Sequence, residues 1–112
     1  MDKSREEKVE EIFTSGVDHL EKGRLKDAIA AFEEVITLND TDAAAHFNLG
    51  VACMRVVRAD VEQDFYLEDH TDEEAWILRA IAEFNRVLEL EPDNEEAKKN
   101  IDALNKLMDM GV

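Results

Sequence analysis

The chain has 112 residues, enough for one domain and too few for a large enzyme with a separate cofactor domain. It carries 28 Asp plus Glu against 13 Lys plus Arg, a formal charge of −15, and such a field repels phosphate backbones and anionic lipid, so neither nucleic acid nor a membrane surface is expected as a partner. Hydrophobic residues at 45% are too many for a disordered acidic tail, one cysteine excludes an internal disulfide, and no apolar run is long enough for a secretory signal or a membrane span; a cytoplasmic location is expected.

Four glycines and one proline leave few breaks, and apolar residues recur at intervals of three and four, which predicts an all-α chain. The first helix is expected over Arg5–Glu21, capped by Ser4 with Glu7 three residues on, with Val9, Ile12, Gly16 and Leu20 along one face and Lys22 and Gly23 at its end. A second follows over Leu25–Leu38, where Leu25, Ala28, Ile29, Phe32, Val35 and Ile36 form a broad apolar stripe. After the polar run from Asn39 to Asp42, a third begins near Ala43, carries Phe47, Leu49, Gly50, Cys53, Met54 and Val57, and should last at least to Arg58.

Residues 60–74 hold eight acidic side chains and no Lys or Arg, interrupted by Phe65, Tyr66 and Leu67. Like charges resist packing while the aromatic cluster favours it, so partial order is expected. Thr71 with Glu74 reads as a capping box for a fourth helix carrying Ala75, Ile77, Leu78, Ile81, Phe84, Val87 and Leu88 to about Leu90, where Glu91 and Pro92 make the stop. Asp93 with Glu96 then opens a fifth, with Ala97, Ile101, Leu104 and Leu107 as its stripe.

The chain also repeats itself. Ala28, Phe32 and Val35 return as Ala80, Phe84 and Val87 at an offset of 52, whereas Gly16 and Gly50 in the preceding helices lie 34 apart. A 34-residue helical hairpin whose second copy carries an 18-residue insertion between its helices accounts for both offsets. The small residues Gly16, Ala28, Gly50 and Ala80 permit close helix backbones, and Phe32 and Phe84 fill the gap before the next hairpin.

Through Asn48-Leu49-Gly50, through Ala28, Phe32 and the Leu38-Asn39 turn, and through Ala80, Phe84 and Leu90-Glu91-Pro92-Asp93, the chain resembles the tetratricopeptide repeat family. The likeness covers residues 9–59 and 75–108. Ile12 and His46 stand where the family often has tryptophan, Cys53 where an aromatic is usual, and Asp40 where the turn often has proline. The resemblance implies five helices in a short right-handed solenoid forming one domain over residues 1–112. Repeat one would span about 9–42, repeat two about 43–94 with the acidic insertion at about 60–74, and a capping helix about 94–109. Two copies fall below the usual three for a self-supporting solenoid, so the insertion or a second subunit would supply cover.

In such a solenoid the first helices of each hairpin line a concave face, which here carries Phe13, Val17, Phe47, Val51 and Met54, with Asn48, Arg55 and Lys99 as polar contacts nearby. These apolar side chains suit a peptide or amphipathic segment of another protein, and the net charge favours basic flanks on it. The lysine- and arginine-rich clamp by which some family members hold a terminal carboxylate is missing: Asn48 fits it, but Phe13, Val17, Glu96 and Asn100 do not. The expected function is therefore a protein-binding scaffold or adaptor. The alternatives are a homodimer or other homo-oligomer that consumes the same face, and, much further off, a small hydrolase with an unrecognised carboxylate site.

Phe65, Tyr66 and Leu67 are candidate contacts of the insertion, flanked by acids suited to a basic partner; its plainer role is solvated cover. The Asp60, Glu62, Asp64 alternation lacks the glycine and the final glutamate of a calcium loop. His19, His46 and His70 are scattered and form no metal motif, Cys53 on an apolar face reads as a buried filler, Ser15 and Asp18 form no triad, and Trp76 reads as a core or insertion contact. No catalytic residue, metal or cofactor is expected.

Overall fold

In a computed structural model that describes residues 4–62 and 70–109, with side chains described for 4–58 and 73–109, the chain is all-helical. The helices are α1 (Arg5–Glu21), α2 (Leu25–Leu38), α3 (Ala43–Glu62), α4 (His70–Leu90) and α5 (Glu95–Asp109). Each packs on the next in order, α1 on α2 through to α4 on α5, and α1 also touches α3. This succession of antiparallel hairpins is that of a short tetratricopeptide-like solenoid.

Local chemistry sets the element ends. Ser4 Oγ accepts the Glu7 amide at 3.1 Å, satisfying one of the free donors at the start of α1, and Glu6 and Glu7 add negative charge where the helix dipole favours it. Gly23 leaves α1 at φ 75, with its amide donating to Leu20 O at 3.1 Å, a left-handed conformation that a side chain would oppose. Asp42 Oδ1 accepts the Ala45 amide at 3.1 Å, and Asn94 Oδ1, 52 residues on, accepts the Ala97 amide at 2.9 Å, so α3 and α5 are capped alike.

Two expectations need correction at these ends. The cap of α5 is Asn94 rather than Asp93, because the turn after Leu90 takes the same form as the one after Leu38. Thr71 does not cap α4: the helix already includes His70 and Thr71. Helix α3 meets the expected minimum of Arg58 and ends at Glu62, so the described parts of the acidic segment, 60–62 and 70–74, continue the flanking helices. The reading of Phe65, Tyr66 and Leu67 as contacts lies outside the described residues.

One core runs through all five helices. Phe32, Val35, Leu49, Cys53, Val56, Ile77, Phe84, Val87 and Leu104 are fully buried, and Ile101, Leu107 and Trp76 pack against them from the margin. Leu78, which the pattern grouped with the apolar stripe of α4, instead points outward at 51% exposure. Polar side chains tie the later helices to the earlier ones: Arg79 on α4 pairs with Glu33 on α2 at 2.6 Å, and buried His46 on α3 meets Glu83 on α4 at 2.7 Å and the carbonyl of Asp40 at 2.8 Å.

Candidate interaction face

The candidate face is built by α1 and α3. Phe13 and Val17 are one turn apart on α1, as are Phe47 and Val51 on α3, with Met54 in the turn beyond; these spacings bring side chains onto one side of a helix. All five are half-buried and pack against the core without being sealed in it. Gly16 and Gly50, on the same helices, turn instead to the buried phenyl rings of Phe32 and Phe84.

Each outer phenyl lies edge-on against an inner one. Phe13 meets Phe32 at 5.6 Å between centroids and 68°, and Phe47 meets Phe84 at 5.4 Å and 71°, edge-to-face arrangements that aromatic quadrupoles favour. The two hairpins thus present equivalent aromatic walls, 34 residues apart in sequence. Beside the second wall lies a surface cavity of about 270 Å³ lined by Ala43, Ala44, Phe47, Asn48, Glu91, Asn94 and Glu96. A second, of about 370 Å³, lies on α1 and is lined by Glu7, Glu10, Glu11 and Thr14, with none of the five apolar candidates in its wall.

The polar candidates separate. Asn48 borders the cavity with Phe47 and donates from Nδ2 to Ala44 O at 2.8 Å. Arg55 sends Nη1 to Leu20 O at 3.1 Å, a bond that ties α3 to the end of α1. Lys99 is exposed on α5, 52 residues after Phe47, and does not line the Phe47 cavity. Residues not anticipated beside Phe47 are Glu91 and Asn94; the resemblance places Glu96 at a clamp position. The signal that could have found them is the Leu90 to Asn94 turn, which returns the first turn of α5 to the side of α3.

The remaining chemistry is sparse. Burial pushes the Cys53 thiol up to about 12, opposed by the nearby positive charge of Arg79 and reinforced by Glu83 and Glu33, so the thiol stays protonated. The guanidinium of Arg79 lies 5.7 Å from the Trp76 ring centroid; burial lowers its proton affinity, and the hydrogen bond and charge of Glu33 more than restore it. Among the described residues no group of three or more His, Cys, Asp or Glu is placed to hold a metal ion, and no helix is long and apolar enough to cross a membrane.

Comparison with curated proteins finds no match. The family model described as TPR repeat matches residues 16–56, so the stretch from the glycine of α1 to the buried part of α3 is similar to a TPR repeat.

Proposed function

We propose that this chain is a noncatalytic interaction module that holds a peptide or amphipathic segment of another protein against Phe13, Val17, Phe47, Val51 and Met54. The observation that carries this reading is the half-burial of all five: packed enough to be held in place, open enough to offer apolar surface along alternate helices. Helical solenoids use such faces to seat extended or helical segments, and the TPR-like match over 16–56 includes Val17, Phe47, Val51 and Met54. Asn48 would offer its side-chain amide at the rim, while Arg55, bonded to Leu20 O, and Lys99, away from the Phe47 cavity, would stand outside the contact.

The test is capture of partners from a lysate by the intact chain, with F47D and V51D as controls. Both variants should lose capture while helical signal and melting stay near the parent. Unchanged capture by either variant, folded, would remove this face from the account. A constant dimer that F47D dissolves would replace it with self-association.

A further inference from the structure

Resting on the reading above, we infer that the occupant of this face is a basic amphipathic segment, with apolar side chains seated between Phe13 and Phe47 and Lys or Arg side chains reaching the acid-lined cavity beside Phe47 and the acidic cavity on α1. The cavity on α1 is lined by Glu7, Glu10 and Glu11 with Thr14, and the cavity beside Phe47 has Glu91 and Glu96; neither is lined by Lys or Arg. The N-termini of α3 and α5 also border the second cavity, but each contributes roughly half a positive charge, against two carboxylates. Lys99 on α5 sits between Glu96 and Asp102, three residues to either side, which offset its charge. The local potential therefore has the sign of the whole chain, −15, so docking and long-range attraction select the same cationic partner. A second copy would bring its own carboxylates to these rims and meet them with like charge.

Three designed helical peptides with the same apolar positions and Lys, Gln or Glu at every polar position test this by fluorescence anisotropy. The Lys peptide should bind at least about tenfold tighter than the Gln peptide, with the advantage shrinking as salt screens the rim, and the Glu peptide should not bind measurably. Amide shifts on adding the Lys peptide should concentrate at Phe13, Thr14, Phe47 and Val51. The triple variant E10Q/E91Q/E96Q changes three exposed side chains and should weaken the Lys peptide about three- to tenfold, leaving the Gln peptide unchanged. Equal binding of the Lys and Gln peptides at this face overturns the basic class while leaving the groove standing. Lys-peptide binding that V51D does not alter places the attraction elsewhere and also overturns it, and failure of all three peptides to bind overturns the groove with it.

Discussion

The ring of Phe84 lies against the bare Cα of Gly50, so close that a methyl group added there would stand 2.8 Å from Cζ and 2.9 Å from Cε1. Gly16 and Phe32 repeat the relationship, at 2.8 Å to Cε1 and 2.9 Å to Cζ. Both rings are fully buried, and each is also met edge-on by the phenyl one turn before the glycine on the same helix, Phe47 or Phe13, which limits how far it can swing away. Alanine gains about 1 kcal/mol over glycine in helix propensity, but overpacking costs about 1–3 kcal/mol, and an immobilised ring puts the cost at the upper end. G50A and G16A should each lose roughly 1–2 kcal/mol, read as a lower urea midpoint at unchanged slope. An unchanged or raised midpoint would mean that the phenyl rings can yield.

His46 should be worth more than an ordinary surface hydrogen bond. Its Nδ1 lies 2.7 Å from Glu83 Oε1 and its Nε2 2.8 Å from the carbonyl oxygen of Asp40, so the ring bridges α4 and the turn before α3. H46A leaves the Glu83 carboxylate, 19% exposed, without that partner and costs about 1–3 kcal/mol. E83Q should cost less, because a neutral imidazole can donate to Asp40 O and accept from the new amide. Thermal melts at neutral pH should rank parent, E83Q and H46A in falling order; reversal of the two variants would show that the charge of Glu83 outweighs the bonding of the ring.

How much of this was legible in the sequence depends on how local the signal is. Ser4 and Gly23 bound α1 by themselves, and the three-four spacing of Leu25, Ala28, Phe32 and Val35 needs no tertiary knowledge. The start of α4 is different: Thr71 has the chemistry of a cap, yet the helix extends back through His70, overriding a preference worth about 1 kcal/mol. The 34-residue offset marks Phe13 and Phe47 as equivalent positions, whereas Glu91 joins Phe47 only because the chain turns back at Pro92. The bond from His46 to Glu83 spans 37 residues and leaves no periodic trace.

Cys53 gives a pH test whose sign follows from burial. Burial pushes the folded thiol up to about 12 from the ordinary 9.0, so between those values the unfolded chain releases a proton that the folded chain keeps. The protonated thiol's contribution is complete below about pH 9 and is lost as pH rises toward 12. The stability difference between parent and C53A should be flat near neutrality and move against the parent through that window. A neutral, buried thiol also resists reagents: labelling at pH 8 should be slow for native protein and fast in denaturant. Rapid native labelling would mean that α3 opens locally.

Arg55 separates a fold contact from a ligand contact. Its Nη1 bond to Leu20 O shares an acceptor with the Gly23 amide, so removal leaves that carbonyl bonded and costs only about 0.5–1.5 kcal/mol. R55M keeps the apolar stem and removes the donor, so the urea midpoint should fall slightly. Affinity for a Lys-rich peptide should hold or rise, since the variant takes a positive charge away from the vicinity of a cationic ligand. A loss of affinity beyond about tenfold, with folding intact, would amount to more than about 1.4 kcal/mol and would mean that the guanidinium leaves Leu20 to hold the bound segment.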